Sequence, residues 1–342
     1  MFKRINFDFF VQPIVQVGLI IIVGILLCVM SWIGLNRPSM FDPQPDLGHN
    51  ITVTAPVQIK TGLFINNFLN FDLVKNEFVV SGTVWFDFDA NQITLEELEQ
   101  SVFSKGKLDA PAMLRGHSKP LIEETGDRVF AQYQIQVKFS SNLDHSRYPF
   151  DSHRLYLTLN NPYLDSSKYQ FVSDQTQLMI SGNAHTPGWQ VIGKQVQTGM
   201  VTKKIGASKA IHYPRVIYSI DFVRDSFKDI LLLLLPLIVA LFMAMFVFSY
   251  DRGHYESGVL SVSGTTVGAM VGYRFVINNV APRVPYFMLI DHLFDLFLLL
   301  AFTVFLFNVF NLLKRNYSGL MILALHGTLL FGWGYLLFFW HQ

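Results

Sequence analysis

The sequence has very little cysteine and little charge, and both shortages exclude classes of protein. Cys28 is the single cysteine among 342 residues, so no disulfide can form within the chain. Charged residues make up 15% of the chain, well below the roughly 25% of soluble domains. The net charge is +1, which gives no basis for binding a nucleic-acid polyanion.

The sequence also lacks the residue patterns of known catalytic chemistry. It contains no HExxH motif, no cysteine pair for zinc, no GxSxG motif and no phosphate-binding glycine loop. Asp87, Asp89 and Asn91 resemble the start of a calcium-binding loop. However, Gln92 stands where that loop needs glycine, and Leu98 where it needs glutamate. We therefore predict no enzyme activity, no metal site and no cofactor.

Hydrophobic residues, by contrast, make up 51% of the chain. They form runs near the 20 or so residues that a helix needs to cross a bilayer. Four runs are strongly apolar: Val17–Leu35, Ile230–Tyr250, Pro285–Phe310 and Leu320–Trp340. A fifth, Ser257–Val280, is rich in Gly, Ser and Thr, which suits a helix that faces a polar cavity. The chain is predicted to be a multi-pass membrane protein.

The first run is either an uncleaved membrane anchor or a cleaved signal peptide. Its basic start, Lys3 and Arg4, fits both interpretations. The run is longer than a usual signal-peptide core, and no Ala-x-Ala cleavage site follows it, which favours the anchor. With the N-terminus in the cytoplasm, basic residues in both inside loops agree with the positive-inside rule, and segment 36–225 lies outside.

Segment 50–225 has the pattern of many short strands. Runs with alternating β-branched and aromatic residues predict strands; they are Val57–Phe68, Glu77–Phe88, Val129–Phe139, Arg154–Leu159 and Val216–Val223. Turn signals separate them at Asn160-Asn161-Pro162, Thr186-Pro187-Gly188 and Tyr213-Pro214. Thr94 and Glu97 form a capping box that predicts a short helix, Thr94–Phe103. We predict an antiparallel β-sandwich and three regions, 1–36, 37–225 and 226–342.

Three local patterns occur in a specific order. The first is Trp85-Phe86-Asp87 at the end of a strand, and the second is Tyr148-Pro149-Phe150-Asp151, a turn between two strands. The third is Arg224, which is followed twelve positions later by Pro236 inside an apolar run. With four C-terminal runs and the short linker 281–286, residues 55–340 resemble the pentameric ligand-gated ion channels, the Cys-loop receptor superfamily.

The resemblance implies five identical subunits around one axis. Each subunit would have an extracellular β-sandwich and a four-helix transmembrane bundle whose second helix lines the pore. Bacterial members usually lack the disulfide that gives the superfamily its name, and here Ser141 and Leu155 stand near the cysteine positions. The expected location is a bacterial inner membrane, with the β-domain on the periplasmic or extracellular side. The N-terminal anchor and the helix at Thr94–Phe103 depart from the family pattern.

A small, hydroxylated face of the fifth run predicts the pore lining. Ser257, Ser261, Thr265, Gly268 and Gly272 recur every three or four residues, on one helical face. By the resemblance, Glu256 lies at the cytoplasmic mouth, where five carboxylates attract cations.

Two other interpretations of this helix stay open. A competing face carries Glu256, Val259, Ser263, Thr266 and Met270. A stripe of small residues, Gly264, Gly268 and Gly272, also suits helix–helix packing. Arg274 near the outer mouth would oppose cation selectivity.

The resemblance also implies residues that couple the two domains. Pro149 and Asp151 lie at the base of the sandwich, with Asp151 near Arg224. The linker between Pro282 and Pro285 would receive the motion that a bound ligand causes in the sandwich. A plain turn is the alternative for the Pro149 region.

The agonist site is predicted from aromatic residues in loops. In the family it lies between subunits, and Tyr163, Tyr169, Trp189 and Tyr213 are candidates. Core packing is the alternative for Trp189. Protons are a second candidate stimulus, with His153, His212 and His292 as titratable groups.

We predict a homopentameric channel, with membrane lipid around it, that conducts monovalent ions, cations in preference. A small ligand, a divalent ion or a proton gates it. The alternative is a membrane-anchored β-domain that acts as a sensor or assembly subunit without conduction.

Overall fold

The chain divides into two compact units. The helical unit consists of Met1–Ser39, His145–Asp151 and Ser226–Gln342, and the sheet unit of Met40–Asp144 and Ser152–Asp225. The structure is a computed structural model, and it describes residues 7–36, 42, 44–48, 56–72, 76–104, 106–108, 119–140, 143–184, 186–205, 209–250, 252–310 and 315–339.

Long helices build the helical unit. They are α1 (Pro13–Leu35), α3 (Phe227–Phe246), α4 (Arg252–Val280), α5 (Leu289–Val309) and α6 (Arg315–Phe338). All five contain a stretch that is long and apolar enough to cross a membrane. The prediction of five such runs is confirmed, and α4 is the least apolar of them.

Helix α1 packs against its neighbours through small residues. Val23 and Leu27 are buried in the core of the helical unit. A Cβ at Gly34 would lie 3.4 Å from the side chain of Leu337, and one at Gly334 only 2.8 Å from Met30. Helix α1 therefore shares its core with α3 and α6, and the choice between an anchor and a signal peptide stays a prediction.

The sheet unit contains two sheets. Its strands are β1 (Val57–Asp72), β2 (Glu77–Asp89), β3 (Val102–Ser104), β4 (Gly106–Leu108), β5 (Leu121–Thr125), β6 (Arg128–Ser140), β7 (Ser152–Asn160), β8 (Tyr169–Val172), β9 (Leu178–Ile180), β10 (Trp189–Ile205) and β11 (Lys209–Arg224). The order in the seven-stranded sheet is β4-β6-β2-β1-β8, with β5 beside β6 and β9 beside β1. The four-stranded sheet has the order β10-β11-β7-β3. Strands β8 and β9 run parallel to β1, whereas the other pairs are antiparallel as predicted.

Alternating side chains of both sheets enter one hydrophobic core. In β2 every second residue from Phe78 to Phe88 is buried. The same core contains Tyr133 of the larger sheet and Leu157 and Tyr218 of the smaller one. Burial of its phenol raises the pKa of Tyr133, and the neighbouring Glu99, which accepts its hydrogen bond, raises it further.

Two local predictions in the sheet unit are wrong. The helix predicted over Thr94–Phe103 is a single turn, α2 (Leu95–Leu98), although its capping box is confirmed. The chain continues as β3, because Phe103 is buried in the core and pairs with Leu159. The turn predicted at Tyr213-Pro214 is absent, since β11 runs through it. Pro214 lies just beyond the last register pair of β11 with β7, where a missing backbone N–H is tolerated.

The described segment after α1 lies against the four-stranded sheet. We call residues 42 and 44–48 the strap. The buried carboxylate of Asp42 accepts the N–H groups of Asp144 at 2.7 Å and of Arg154 at 2.9 Å, and lies 3.3 Å from Nδ1 of His153. At the other end, Gly48 forms a backbone bridge with Met200. The strap is therefore attached to the sheet at both ends.

We expect Asp42→Ala to release the first end of the strap. The substitution removes the charged acceptor of two partly buried N–H groups, at about 1.5 kcal/mol each. Hydrogen exchange of the Asp144 and Arg154 amides should accelerate by at least about tenfold, since about 1.4 kcal/mol of local stability corresponds to that factor. Asp46→Ala is the control, because the described contact of Asp46 uses its backbone oxygen. Equal exchange in both variants would contradict the attachment.

Candidate functional sites

The predicted pore residues share one exposed face of α4. Ser257, Ser261, Thr265, Gly268 and Gly272 are all exposed in the chain. The hydroxyls of Ser261 and Thr265 have no hydrogen-bond partner among the described residues. This face is therefore polar and small, and the described part of the chain leaves it uncovered.

The competing face of α4 is covered by the chain's own helices. Val259, Ser263, Thr266 and Met270 are buried. The Ser263 hydroxyl donates to the carbonyl oxygen of Val259 at 3.0 Å, and Thr266 donates in the same way within its own helix. This face therefore packs within the helical unit.

The glycine stripe serves packing at one of its three positions. A Cβ at Gly264 would lie 3.4 Å from the ring of Phe305 in α5. At Gly268 and Gly272 it would meet nothing within 4 Å. Among the residues that the structure describes, the stripe therefore packs against another helix only at Gly264.

The exposed face continues beyond Gly272 toward the end of α4. Phe275 follows Gly272 by three positions, and its side chain is 71% exposed. Asn279 follows Phe275 by four positions and is exposed as well. Extending the same three-or-four spacing would have found both residues. Glu256 belongs to α4, but its side chain lies outside the described part of the structure, so its place at a pore mouth stays a prediction.

Arg274 pairs with α5. Its Nη2 lies 2.5 Å from Oδ1 of Asp291, and its guanidinium carbon is 5.1 Å from the ring centroid of Phe294. The other carboxylate oxygen of Asp291 accepts the N–H of Met288 at 2.7 Å and so caps α5. The two charged side chains are 30% and 8% exposed. The positive charge of Arg274 is therefore compensated by a carboxylate next to it.

Residues His145–Asp151, which we call the contact segment, hold the first turn of α5. The Ser146 carbonyl accepts the N–H of Leu289 at 2.7 Å, and the Tyr148 carbonyl accepts that of Ile290 at 3.0 Å. The first N–H groups of a helix have no partner within it, so these two carbonyls supply what α5 lacks. No sequence signal pointed to this pairing, because it joins backbone atoms far apart in the chain.

The contact segment also touches the loop between α4 and α5. The His145 N–H donates to Oη of Tyr286 at 3.0 Å. The Tyr148 hydroxyl donates to the Val280 carbonyl, at the end of α4, over 3.4 Å. Tyr148 and Phe150 are buried in the core of the helical unit. The segment therefore contacts the end of α4, the loop and the start of α5.

The predicted coupling residues fall in both units. Pro149 lies in the contact segment after a cis peptide bond. Asp151 is buried there, with Oδ2 3.4 Å from Nδ1 of His145. In the sheet unit, the Arg224 guanidinium carbon lies 4.5 Å from the ring centroid of Trp189. A pair between Asp151 and Arg224 stays a prediction. Pro282 and Pro285 lie in the loop between α4 and α5, as predicted.

The loop that carries Tyr163 and leads to Tyr169 lies against the part of β11 that carries Tyr213. Tyr163 is exposed, Tyr169 is half-buried at the start of β8, and Tyr213 is buried on β11. The loop that carries Tyr163 bonds to β11 on both sides of Tyr213: Asn161 N–H donates to the Pro214 carbonyl at 3.3 Å and Ser166 N–H to the His212 carbonyl at 3.1 Å.

An acidic group lies in the same loop. The pKa of Asp165 is held below its ordinary value, first by the backbone N–H and then by the side chain of Ser167. An ionised carboxylate in the same loop as the exposed ring of Tyr163 favours a cationic ligand.

Trp189 lies far from the three tyrosines, near the other end of the β10–β11 ladder. It pairs with Arg224 in the β10–β11 ladder, whereas Tyr213 pairs with Val201, eleven residues away along β11. At about 3.4 Å per residue, that separation is roughly 37 Å. Trp189 is buried in the core of the sheet unit and packs on Phe71. Within one chain, the structure therefore does not bring Trp189 together with the three tyrosines.

The three histidines are also far from equivalent. His153 is fully buried next to Asp42. His212 is half-buried, with Nδ1 2.8 Å from the Thr202 hydroxyl oxygen. His292 lies in the first turn of α5, its ring 5.9 Å from that of Phe287. The structure brings none of these three next to another through its described contacts.

A comparison with models of known protein families gives no match to this chain, and a comparison with curated proteins gives no significant one. The class of protein therefore rests on the chain itself. It is an α+β membrane protein with two sheets and five helices that are long and apolar enough to cross a membrane.

Proposed function

We propose that the protein is a homopentameric ligand-gated ion channel of the prokaryotic type. In this proposal the two sheets form an extracellular β-sandwich, and α3 to α6 form a four-helix bundle with α1 as an additional anchor. Helix α4 lines the pore, and the membrane is the bacterial inner membrane, with the sheet unit on its outer side. The observation that carries the proposal is the exposed polar face of α4.

A polar face at membrane depth needs water or other protein beside it. Exposed Ser, Thr and Gly residues gain nothing from contact with lipid tails, and an ion needs a wet path through the bilayer. Five copies of the face defined by Ser261, Thr265 and Gly268 would enclose such a path. The burial of Val259 and Met270 supports this register over the competing one.

The charge pattern supports a preference for monovalent cations. Arg274 is the cation on α4 nearest to the outer mouth, and Asp291 compensates it. Five such pairs add no net charge to the pore, whereas five copies of Glu256 at the inner mouth would attract cations.

The contact segment supports gating by the sheet unit. It lies between β6 and β7 in the sequence, yet it caps α5 and touches the end of α4. A ligand that moves these strands would pull directly on the start of α5. The cluster of Tyr163, Tyr169 and Tyr213 with ionised Asp165 is the candidate site for a cationic ligand, although a divalent ion or a proton also fits the coupling.

Accessible cysteines test the pore assignment. In a chain whose Cys28 has been replaced by serine, we expect Ser261→Cys and Thr265→Cys to react with a charged, water-soluble thiol reagent in lipid vesicles. Ser263→Cys and Met270→Cys are the matched controls, and they should stay unreactive because their positions are buried. In planar bilayers the same modification should reduce the current. Reaction at Met270 without reaction at Ser261 would mean that the competing face of α4 lines the pore. Absence of reaction at all four positions would contradict a water-filled pore.

A further inference from the structure

The loop between α4 and α5, with the adjoining helix ends, lines an open pocket of about 430 Å³. Polar groups on its walls come from Arg274, Asn278, Arg283 and Asp291, and apolar walls come from Val284 and Met288. Because α4 and α5 are consecutive helices that can each cross a membrane, this loop lies at a membrane surface. The pocket is therefore at the depth of lipid headgroups.

The charges of this pocket favour an anion. Arg274 and Arg283 contribute two positive charges and Asp291 one negative charge, which leaves one positive charge on the walls. Both oxygens of Asp291 are already engaged, by Arg274 and by the Met288 N–H. The carboxylate therefore opposes a bound anion less than a free one would.

Both arginines retain hydrogen-bonding capacity. Nη1 of Arg274 is buried and has no hydrogen-bond partner in the described part of the chain. The exposed side chain of Arg283 has no ion-pair partner among the same residues. Guanidinium groups match phosphate oxygens in geometry and charge. A phosphate group in the pocket would accept hydrogen bonds from the exposed guanidinium of Arg283, and the charge of Arg274 in the pocket wall would add to its attraction.

The residues beside the pocket suit a lipid. Phe287 and Tyr286 line the pocket and are exposed, and aromatic residues at helix ends are typical of the membrane interface. Phe287 offers an apolar surface for the start of an acyl chain.

We infer that this pocket binds the phosphodiester of an anionic phospholipid, such as phosphatidylglycerol. A phosphatidylglycerol headgroup carries one negative charge and neutralises the pocket. Phosphatidylcholine brings a cation along with its phosphate, and that cation would lie against arginine. The inference requires only that the chain lies in a membrane, so it does not depend on conduction.

Native mass spectrometry of the detergent-purified protein, titrated with phosphatidylglycerol or phosphatidylcholine, tests the site. We expect Arg283→Gln to weaken phosphatidylglycerol binding by about tenfold, the factor that corresponds to one lost charge-assisted hydrogen bond of about 1.4 kcal/mol. Lys228→Gln is the matched control, because Lys228 is an exposed cation in the first turn of α3 and does not line the pocket. Its loss should change binding by no more than about twofold, through surface charge alone.

Three outcomes would overturn the inference. Equal losses in Arg283→Gln and Lys228→Gln would mean that surface charge alone attracts the lipid. Equal affinity for the two lipids would exclude recognition of net charge. Displacement of the lipid by millimolar glycerol 3-phosphate would keep a phosphate site but overturn the assignment to a membrane lipid. Arg283 is exposed and in a loop, so an unchanged melting temperature should accompany its replacement.

Discussion

Asp291→Ala should lower the melting temperature of the helical unit, in detergent solution, by about 6 °C or more, because about 1 kcal/mol shifts a domain of about 150–250 residues by roughly 2–4 °C. The substitution removes two interactions at once. It leaves Arg274 without its carboxylate, and it takes the cap from the Met288 N–H. A lost cap costs about 1 kcal/mol. Removing one partner of a fully buried ion pair costs about 3–5 kcal/mol, but Arg274 is 30% exposed, so we expect about 2 kcal/mol from the pair.

A double-mutant cycle separates these two contributions. Arg274→Ala alone leaves Asp291 able to cap α5, so its effect should be smaller than that of Asp291→Ala. The double variant should be more stable than the sum of the single losses predicts, since the two residues share one interaction. Asp295→Ala is the matched control: Asp295 lies on α5 one turn later, is exposed and has no described partner. If Asp291→Ala and Asp295→Ala lower the melting temperature equally, the pair does not stabilise the junction of α4 and α5.

The predictions that succeeded rest on local chemistry. The period-two runs that predicted β2 and β6 hold because one face of each strand enters the core. The capping box of Thr94 and Glu97 forms within four residues. The five long apolar runs follow from composition and length alone.

The predictions that failed depend on contacts between distant parts of the chain. The helix after Thr94 stops at Leu98, because Phe103 packs better as a strand residue against β7. Pro214 continues a strand because β7 ends beside it. The carboxylate of Asp42 and the caps on α5 come from segments more than a hundred residues away in the sequence. No local pattern encodes such pairs.

The exposed face of α4 lies between these two cases. Its spacing is visible in the sequence, but the sequence does not decide which face the chain's own helices cover. Burial of Ser263, Thr266 and Met270 decides it. The same burial shows that Phe275 shares the exposed face, and Phe275 differs from the small residues that precede it.

Phe275→Ala should therefore raise the current that the protein carries in planar bilayers without any added ligand. In the proposed pentamer, five Phe275 side chains form an apolar ring beyond the small residues Gly268 and Gly272. Apolar constrictions close a pore by excluding water. Full burial of an aromatic side chain of about 150–250 Å² is worth about 4–6 kcal/mol at about 25 cal/mol per Å², so wetting even part of five such surfaces costs several kcal/mol. Losing as little as about 1.4 kcal/mol of that barrier multiplies the resting current about tenfold.

Phe302→Ala provides the control for this effect. Phe302 is an exposed phenylalanine on α5, so its replacement removes the same side chain from a helix that does not line the proposed pore. We expect its resting current to match that of the unmodified protein. Phe275→Tyr should stay close to the unmodified protein too, since it keeps the ring width while adding one hydroxyl. A Phe275→Ala current no larger than that of Phe302→Ala would place the closure elsewhere along α4. Because the remaining described positions on this face are small or polar, such a result would also argue against closure by side chains of this face.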